Sequence, residues 1–396
     1  MDFSYVALSD EEQEFLDRTR RLLSELVTDD VLRRDRETGE NFDERVHVPL
    51  GEAGYLAGDW HDESEGGFDA VRRRIFHLEV ARAHTPWYHW GTTSMVARMV
   101  QQFGVPELVA DVLPGVLAGQ IRLCLGYTEP EGGSDVATCK TRAVRDGDGW
   151  IINGSKMFTS NAHNAQYVFL LTNTDPDGPK HKSLTMFLVP LDSPGVEIQG
   201  IRTLDGDRTN IVYYSDVRVD DRYRIGEVNG GWTVMRFALA AEHGLVDRED
   251  DGLHYISAMG AHGVEMAEAV DNAAGLLAQP GPDGRRPVDD GAVRYRLGRA
   301  AARMEAAIST AGPYGRVAIA QTMREVASEL MDLLGTASAL TIEAVGAADD
   351  GMAESLLRLA VPAGIYGGTL EVFRNMIAQN ELGLGRPDYR PPVTKG

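Results

Sequence analysis

The chain has 396 residues, enough for a large core and two or three domains. It carries 39 lysines and arginines against 60 aspartates and glutamates, and a net charge of −21 repels a phosphate backbone, which argues against a nucleic-acid partner. Its two cysteines, Cys124 and Cys139, fit a reduced protein better than a disulfide scaffold. No apolar run nears the roughly 20 residues of a membrane span. The opening MDFSYVALSDEEQEF has neither the basic nor the apolar region of a signal peptide and is too acidic for a transit peptide, so a cytoplasmic location is expected.

The first part reads as helical. Ser9 and Glu12 are spaced as a capping box ahead of an apolar stripe of Phe15, Thr19, Leu22 and Leu26. AVRRRIFHLEVARAH and PELVADVLPGVLAG continue the helical pattern. Near residue 120 short β-rich runs take over: QIRLCLGYTE, TRAVRDGDGW, WIINGSKMFTS, AQYVFLLTNT, LTMFLVPLD, GVEIQGI and NIVYYSDVRVD. Asp148-Gly149 and Asn153-Gly154 are expected to make hairpin turns. Asn153-Gly154-Ser155 also spells a glycosylation sequon, which a cytoplasmic protein does not use. With no helices between its strands, this block predicts an antiparallel β domain.

From about Gly231 the helical period returns, in GWTVMRFALAAEHGLV, GAVRYRLGRAAARMEAAISTAG, RVAIAQTMREVASELMDLLG and AESLLRLAVPAGIYGG, with AQPGPDGRRPVDDG as a loop. The predicted divisions are an N-terminal helical domain at 1–119, a middle β domain at 120–228 and a C-terminal helical bundle at 229–396. This order excludes a doubly wound sheet. No GxGxxG follows a strand, no GxxxxGK[ST] occurs, and the ten histidines lack ligand spacing, so neither a Rossmann or P-loop site nor a metal site is expected.

Four stretches can carry chemistry. LGYTEPEGGSD (125–135) ends a strand in a loop of glycines and hydroxyls, suited to a flat ring or a phosphate, or else a plain surface turn. KMFTSNA (156–162) places an aromatic, two hydroxyls and an amide after a strand, or else is a strand end with Phe158 in the core. Glu242 continues the helical stripe Met235, Leu239, Glu242, Val246, which puts a carboxylate on an apolar face. Burial there would raise its pKa, as functional carboxylates require. Pairing with Arg236, or local exposure of the stripe, is the bland alternative. Finally, Gly367-Gly368 ahead of Thr369 offers bare N–H groups at a helix start, with Thr369 as N-cap, or is a structural turn between helices.

In this order and spacing, YTEPEGGSD, KMFTSNA and YGGTLEVFRNMIAQNELGLG resemble the acyl-CoA dehydrogenase family. The resemblance spans nearly the whole chain, strongest at 121–240 and 357–387. It implies an α+β multidomain fold with an N-terminal helical domain, a middle antiparallel β domain and a C-terminal four-helix bundle. It implies FAD as cofactor and α,β-dehydrogenation of an acyl-CoA thioester as the reaction. By the same resemblance Leu125, Tyr127, Thr128, Gly133, Ser134, Phe158, Ser160, Thr369 and Glu371 bind the cofactor, and Gly335 serves the cofactor of a neighbouring subunit. In one branch of the family the catalytic base lies in the glycine turn, where this chain has Gly367. In the isovaleryl and long-chain branches it lies on the first long helix after the β domain, at the position of Glu242. The resemblance therefore makes Glu242 the base and leaves the Gly367 N–H to hold the thioester oxygen, with Ser134 and His243 facing substrate.

The chain departs from the family pattern at three places. His243 replaces an arginine. The RxxFG element is missing, and Arg285 or Arg286 of GPDGRRPVDD stands in its region. Asp221 replaces a proline. An electron-transfer flavoprotein is the implied acceptor, and a homo-oligomer (dimer or tetramer) or a heterotetramer with a paralogue the implied assembly. Two rival readings are a non-catalytic subunit of such a heterotetramer and a flavin monooxygenase or oxidase on the same fold.

Overall fold

The computed structural model describes residues 7–242, 258–281, 283–310 and 312–385, with backbone alone for Ala241, Glu242, Ala258, Gly260 and Ala261. The chain forms two compact units, Met1–Val264 and Glu265–Gly396.

The first unit opens with α1 (Asp10–Leu26), α2 (Asp29–Thr38), α3 (Glu44–Glu52), α4 (Tyr55–Trp60), α5 (Ala70–Arg82), α6 (His89–Phe103) and α7 (Pro106–Leu117). The capping box forms as predicted: Ser9 Oγ accepts the Glu12 N–H and the Glu12 carboxylate accepts that of Ser9. Phe15, Thr19 and Leu23 point into the core. Thr19 is accommodated there because its hydroxyl donates to the Phe15 carbonyl and meets the Tyr55 hydroxyl.

Eight strands follow: β1 (Leu123–Gly126), β2 (Arg142–Asp146), β3 (Gly149–Met157), β4 (Tyr167–Asn173), β5 (Leu184–Pro190), β6 (Val196–Arg202), β7 (Arg208–Asp220) and β8 (Arg224–Ile225). They form one sheet in the order β6-β7-β3-β2-β4-β5-β8, with β1 beside β4. The expected antiparallel pairing holds for β2–β3, β3–β7, β4–β5, β5–β8 and β6–β7. β1 and β2 differ: both run parallel to β4, and the β2–β3 hairpin lies within the crossover that the parallel β1–β4 pair requires.

Both expected turns shift. Asp146 pairs with Gly149, so the first hairpin closes over Gly147-Asp148, one residue earlier than predicted, with Gly147 supplying the positive φ. Asn153-Gly154 makes no turn at all. It lies within β3 opposite a bulge whose extra residue is in β7, where Asn153 reaches across to Asp216 and the chain passes close to Thr141.

β4 and β5 are buried on both faces, which is why they read as continuous apolar runs. The two-residue period divides their side chains: Phe169, Leu171, Met186 and Leu188 join the core shared with the helices, and Val168, Leu170, Phe187 and Val189 join a second core within the β domain. After the sheet comes α8 (Gly231–Glu242), which buries Val234, Met235 and Ala238.

The helices and the sheet are joined at Gly39, whose carbonyl accepts the Arg208 N–H at 2.6 Å. Gly39 has φ +60, and a Cβ there would lie 2.1 Å from the Gly206 carbonyl oxygen. Gly39→Ala is therefore expected to cost about 3 kcal/mol or more, from left-handed strain plus overpacking. Gly54→Ala is the comparison, with φ +79 but no described atom within 4 Å of the added carbon. It should cost only the strain, about 1–2 kcal/mol. Chemical denaturation of the two variants checks this, and equal losses would refute it.

In the remainder of the chain, α9 (Ala258–Leu277) is a helix that was not singled out from the sequence, and Gly260, Gly263 and Gly275 lie within it. It is followed by α10 (Gly291–Ile308), α11 (Gly312–Leu334), α12 (Met352–Ala363) and α13 (Leu370–Met376). In the second unit α11 packs on α10, α12 and α13. Arg296 and Arg299 both pair with Glu329 along the α10–α11 contact.

Candidate functional site

In the first unit the predicted cofactor residues cluster around the ends of β1 and β3. The Met157 N–H donates to the Thr128 carbonyl, which ties the loop after β1 to the end of β3. Leu125 is half-buried in β1, and the Tyr127 ring packs on Phe169. Gly133 and Ser134 are exposed on the loop beyond, and a side chain at Gly133 would touch only a Thr128 methyl. This is a cradle with room along its edge.

Phe158 is the clearest departure from the simple strand reading. Continued alternation would place it in the core, but the backbone leaves β3 at φ +58 and Phe158 is 56 % exposed. Thr159 goes in instead and is fully buried. It is fixed by Asn210, whose carbonyl accepts the Thr159 N–H and whose side-chain amide donates to the Thr159 carbonyl. Ser160 is exposed, its hydroxyl 3.0 Å from that of Thr209. Thr159 Oγ1 and Asn210 Oδ1 are buried without a hydrogen-bond partner among the described residues. An open aromatic face beside hydroxyls and unsatisfied polar atoms fits a flat, polar ring system such as a flavin.

Under this platform lies a buried ion pair that was not singled out from the sequence. Lys156 is fully buried, and its ammonium donates to Glu129 (2.8 Å), to the Tyr127 carbonyl (3.2 Å) and to Cys139 Sγ (3.3 Å). Glu129 also accepts the N–H groups of Lys140 and Thr141. Burial pushes its carboxyl up, but the Lys156 charge and these bonds outweigh it and hold the group at about 2. Burial likewise pushes the Cys139 thiol up to about 11. The signal in the sequence was a lysine on the inward-facing phase of β3, after Trp150 and Ile152.

In the second unit, Tyr366-Gly367-Gly368-Thr369 links α12 to α13. Gly367 and Gly368 hold φ +60 and +92, and Thr369 caps α13 by accepting the Val372 N–H. The Gly367 N–H has no acceptor among the described residues. Glu371 is exposed, with Arg374 at 3.5 Å. Arg316 on α11, also missed in the sequence, is buried against the turn. It donates to the carbonyls of Ala363 (2.7 Å), Tyr366 (2.5 Å) and Gly368 (3.4 Å). A lone arginine in an apolar helical run gives no hint of such partners.

Glu242 is the last residue of α8, three beyond Leu239, which packs against the core; its side chain lies outside the described residues. Its alternative partner Arg236 is exposed. His243 also lies outside the described residues. Gly335 precedes a short 3-10 turn at φ +74, and a Cβ there would meet no described atom within 4 Å. Arg286 pairs with Asp289 on the surface. Asp221, in place of the usual proline, accepts from Arg224, Trp150 and Arg145, which hold its carboxyl down at about 2. Among the described residues no cluster is set to hold a metal ion, and no helix is long and apolar enough to cross a membrane.

Family models for the acyl-CoA dehydrogenase N-terminal domain and middle domain match residues 9–120 and 124–220. Acyl-CoA dehydrogenase FadE29 of Mycobacterium tuberculosis is 31% identical, over 96% of this chain and 99% of the relative. Among solved structures, the Tcur3481-Tcur3483 steroid ACAD is 29% identical with a TM-score of 0.83, covering 98% of this chain and 100% of that one. The ChsE4-ChsE5 complex from Mycobacterium tuberculosis is 28% identical with a TM-score of 0.83 and the same coverage.

Proposed function

Because this chain belongs to the acyl-CoA dehydrogenase family, we propose that it dehydrogenates an acyl-CoA thioester to the trans-2-enoyl-CoA, with Glu242 removing the α proton. The observation that carries this reading is the Phe158 platform: an exposed aromatic face on a rigid strand end, flanked by Ser160 and unsatisfied buried polar atoms. In this reading Leu125, Tyr127, Thr128, Gly133, Ser134, Phe158 and Ser160 hold FAD, as do Thr369 and Glu371, with Gly335 serving a neighbouring subunit. When bound, FAD supplies the acceptor for the hydride that leaves Cβ.

The α proton of a thioester is weakly acidic, so the chain must do two things. It must stabilise the charge that develops on the thioester oxygen, a role assigned to the Gly367 N–H, which has no other described acceptor. It must also present a base, a role assigned to Glu242 at the end of α8, the helix whose Met235 and Leu239 face the core. Ser134 and His243 are assigned to substrate, and an electron-transfer flavoprotein to the reoxidation step. The likeness to a steroid ACAD supports a polycyclic acyl group, and to a two-chain complex an assembly with a second, different chain.

The test is the visible spectrum of the purified protein, followed by anaerobic mixing with short, long, branched and polycyclic acyl-CoA thioesters. A yellow protein that the polycyclic thioester bleaches fastest supports the proposal. A colourless chain would instead indicate a non-catalytic subunit, and a flavin that no acyl-CoA reduces would indicate a different reaction.

A further inference from the structure

We infer that Arg316 is a positioning residue for the thioester-oxygen donor: by binding the Tyr366 carbonyl, it sets the direction and strength of the Gly367 N–H. The inference rests on the role proposed above for Gly367. The Tyr366 carbonyl and the Gly367 N–H belong to one planar trans peptide and point opposite ways. An anchor on that oxygen therefore aims the hydrogen. Gly367 and Gly368, both at positive φ and without side chains, do little to hold the plane themselves. Arg316 Nη2 sits 2.5 Å from the Tyr366 oxygen and 3.4 Å from that of Gly368, while Nη1 reaches the last carbonyl of α12, Ala363, at 2.7 Å. Arg316 is only 6 % exposed, and the Tyr366 and Phe373 rings lie 5.8 and 5.5 Å from its guanidinium carbon. One rigid fork thus grips both sides of the turn.

The bond also has an electronic effect. A charged donor on a peptide oxygen draws density from the nitrogen and makes the N–H of the same peptide a stronger donor. The guanidinium that does this belongs to a buried residue, and the N–H it strengthens is assigned to the oxygen on which negative charge is to develop. Lysine would keep the charge but not the fork, because an ammonium is a single point that cannot span the Ala363 and Tyr366 carbonyls in one fixed geometry.

The experiment uses FAD-loaded protein as purified, with any partner chain that accompanies it, and the variants Arg316→Gln and Arg316→Lys. Two quantities are read: the anaerobic bleaching rate at saturating acyl-CoA, with its half-saturation concentration, and the apparent pKa of bound acetoacetyl-CoA, followed by its enolate absorbance. The second reports the oxygen's donors without turnover. In Arg316→Gln the bleaching rate should fall about 100-fold, within the range seen for loss of an oxyanion donor, with half-saturation changed less than about threefold. The bound probe should become less acidic by about one unit or more. Arg316→Lys should recover part of both. A folded, FAD-loaded Arg316→Gln protein with wild-type rate and probe pKa overturns the inference. If that variant does not fold, Arg316→Lys decides by the same two readings, with about tenfold slower bleaching expected. A wild type that neither acidifies the probe nor is bleached by any acyl-CoA refutes the role of Gly367 and the inference with it. An active wild type with unaffected variants refutes the inference alone.

Discussion

Replacing Glu242 with glutamine is expected to leave FAD bound and to slow anaerobic bleaching by acyl-CoA about 10²- to 10⁴-fold, the usual contribution of a positioned general base. The two side chains are nearly isosteric, but an amide cannot accept the α proton. Binding and the flavin spectrum should therefore persist while the chemical step fails. Adding Gly367→Glu to this variant, which places a carboxylate in the glycine turn, should not restore activity. Gly367 stands at φ +60, where any residue with a Cβ is strained by about 1–2 kcal/mol. The same change would disturb the peptide whose N–H is assigned to the thioester oxygen. Wild-type bleaching in Glu242→Gln would remove Glu242 from the mechanism. Recovery in the double variant would return the base to the turn.

The second large effect is on stability. Lys156→Met should destabilise the first unit by about 3–5 kcal/mol, because it leaves the Glu129 carboxylate buried without its counter-charge. Its effect on FAD retention should be equally clear, since the pair fixes the loop carrying Tyr127 and Thr128. Lys156→Met combined with Glu129→Gln should recover a good part of the loss, because the unpaired charge is then gone. The pH dependence follows with a defined sign. The folded pKa of Glu129, about 2, lies below the ordinary 4.5, so its contribution is complete above 4.5 and is lost as pH falls towards 2. In Lys156→Met the Lys140 and Thr141 N–H groups still favour the carboxylate, but burial is no longer opposed by a counter-charge, so acidification to pH 4.5 should narrow the gap to wild type. Denaturation midpoints at pH 7 and pH 4.5 would show this. A gap that widens on acidification contradicts the assignment.

The architecture was legible because its signals are local. A capping box placed the first helix, and short β-rich runs placed the strands from β1 to β7. What escaped depended on tertiary context. Asn153-Gly154 is the commonest hairpin signal, yet here Gly154 serves a close approach to Thr141 within a continuous strand. Reading it as a turn also hid the inward phase on which Lys156 stands. β8 is two residues long and has a place only because β5 offers an edge. At the site, the residues with a shape requirement (the glycines, Phe158, Thr369) could be picked out from the sequence. Those acting through partners could not. Glu129 and Lys156 stand 27 positions apart and Arg316 and Tyr366 stand 50 apart, and only the fold brings each pair together.

The junction at Gly39 has one more consequence. Its contacts at Gly39 run from main chain to main chain, Gly39 to Arg208 and Gly39 back to Asp35 at 2.6 Å, and the Arg202 side chain adds one link by donating to the Glu37 and Gly206 carbonyls. A joint of this kind is indifferent to most side-chain replacements nearby but intolerant of any change in chain length. Single-residue insertions or deletions between Glu37 and Asn41, or within Leu204–Asp207, should be far more damaging than point substitutions at the same places. Engineering of this protein can vary the exposed side chains there, apart from Gly39 and Arg202, but must keep the count of residues.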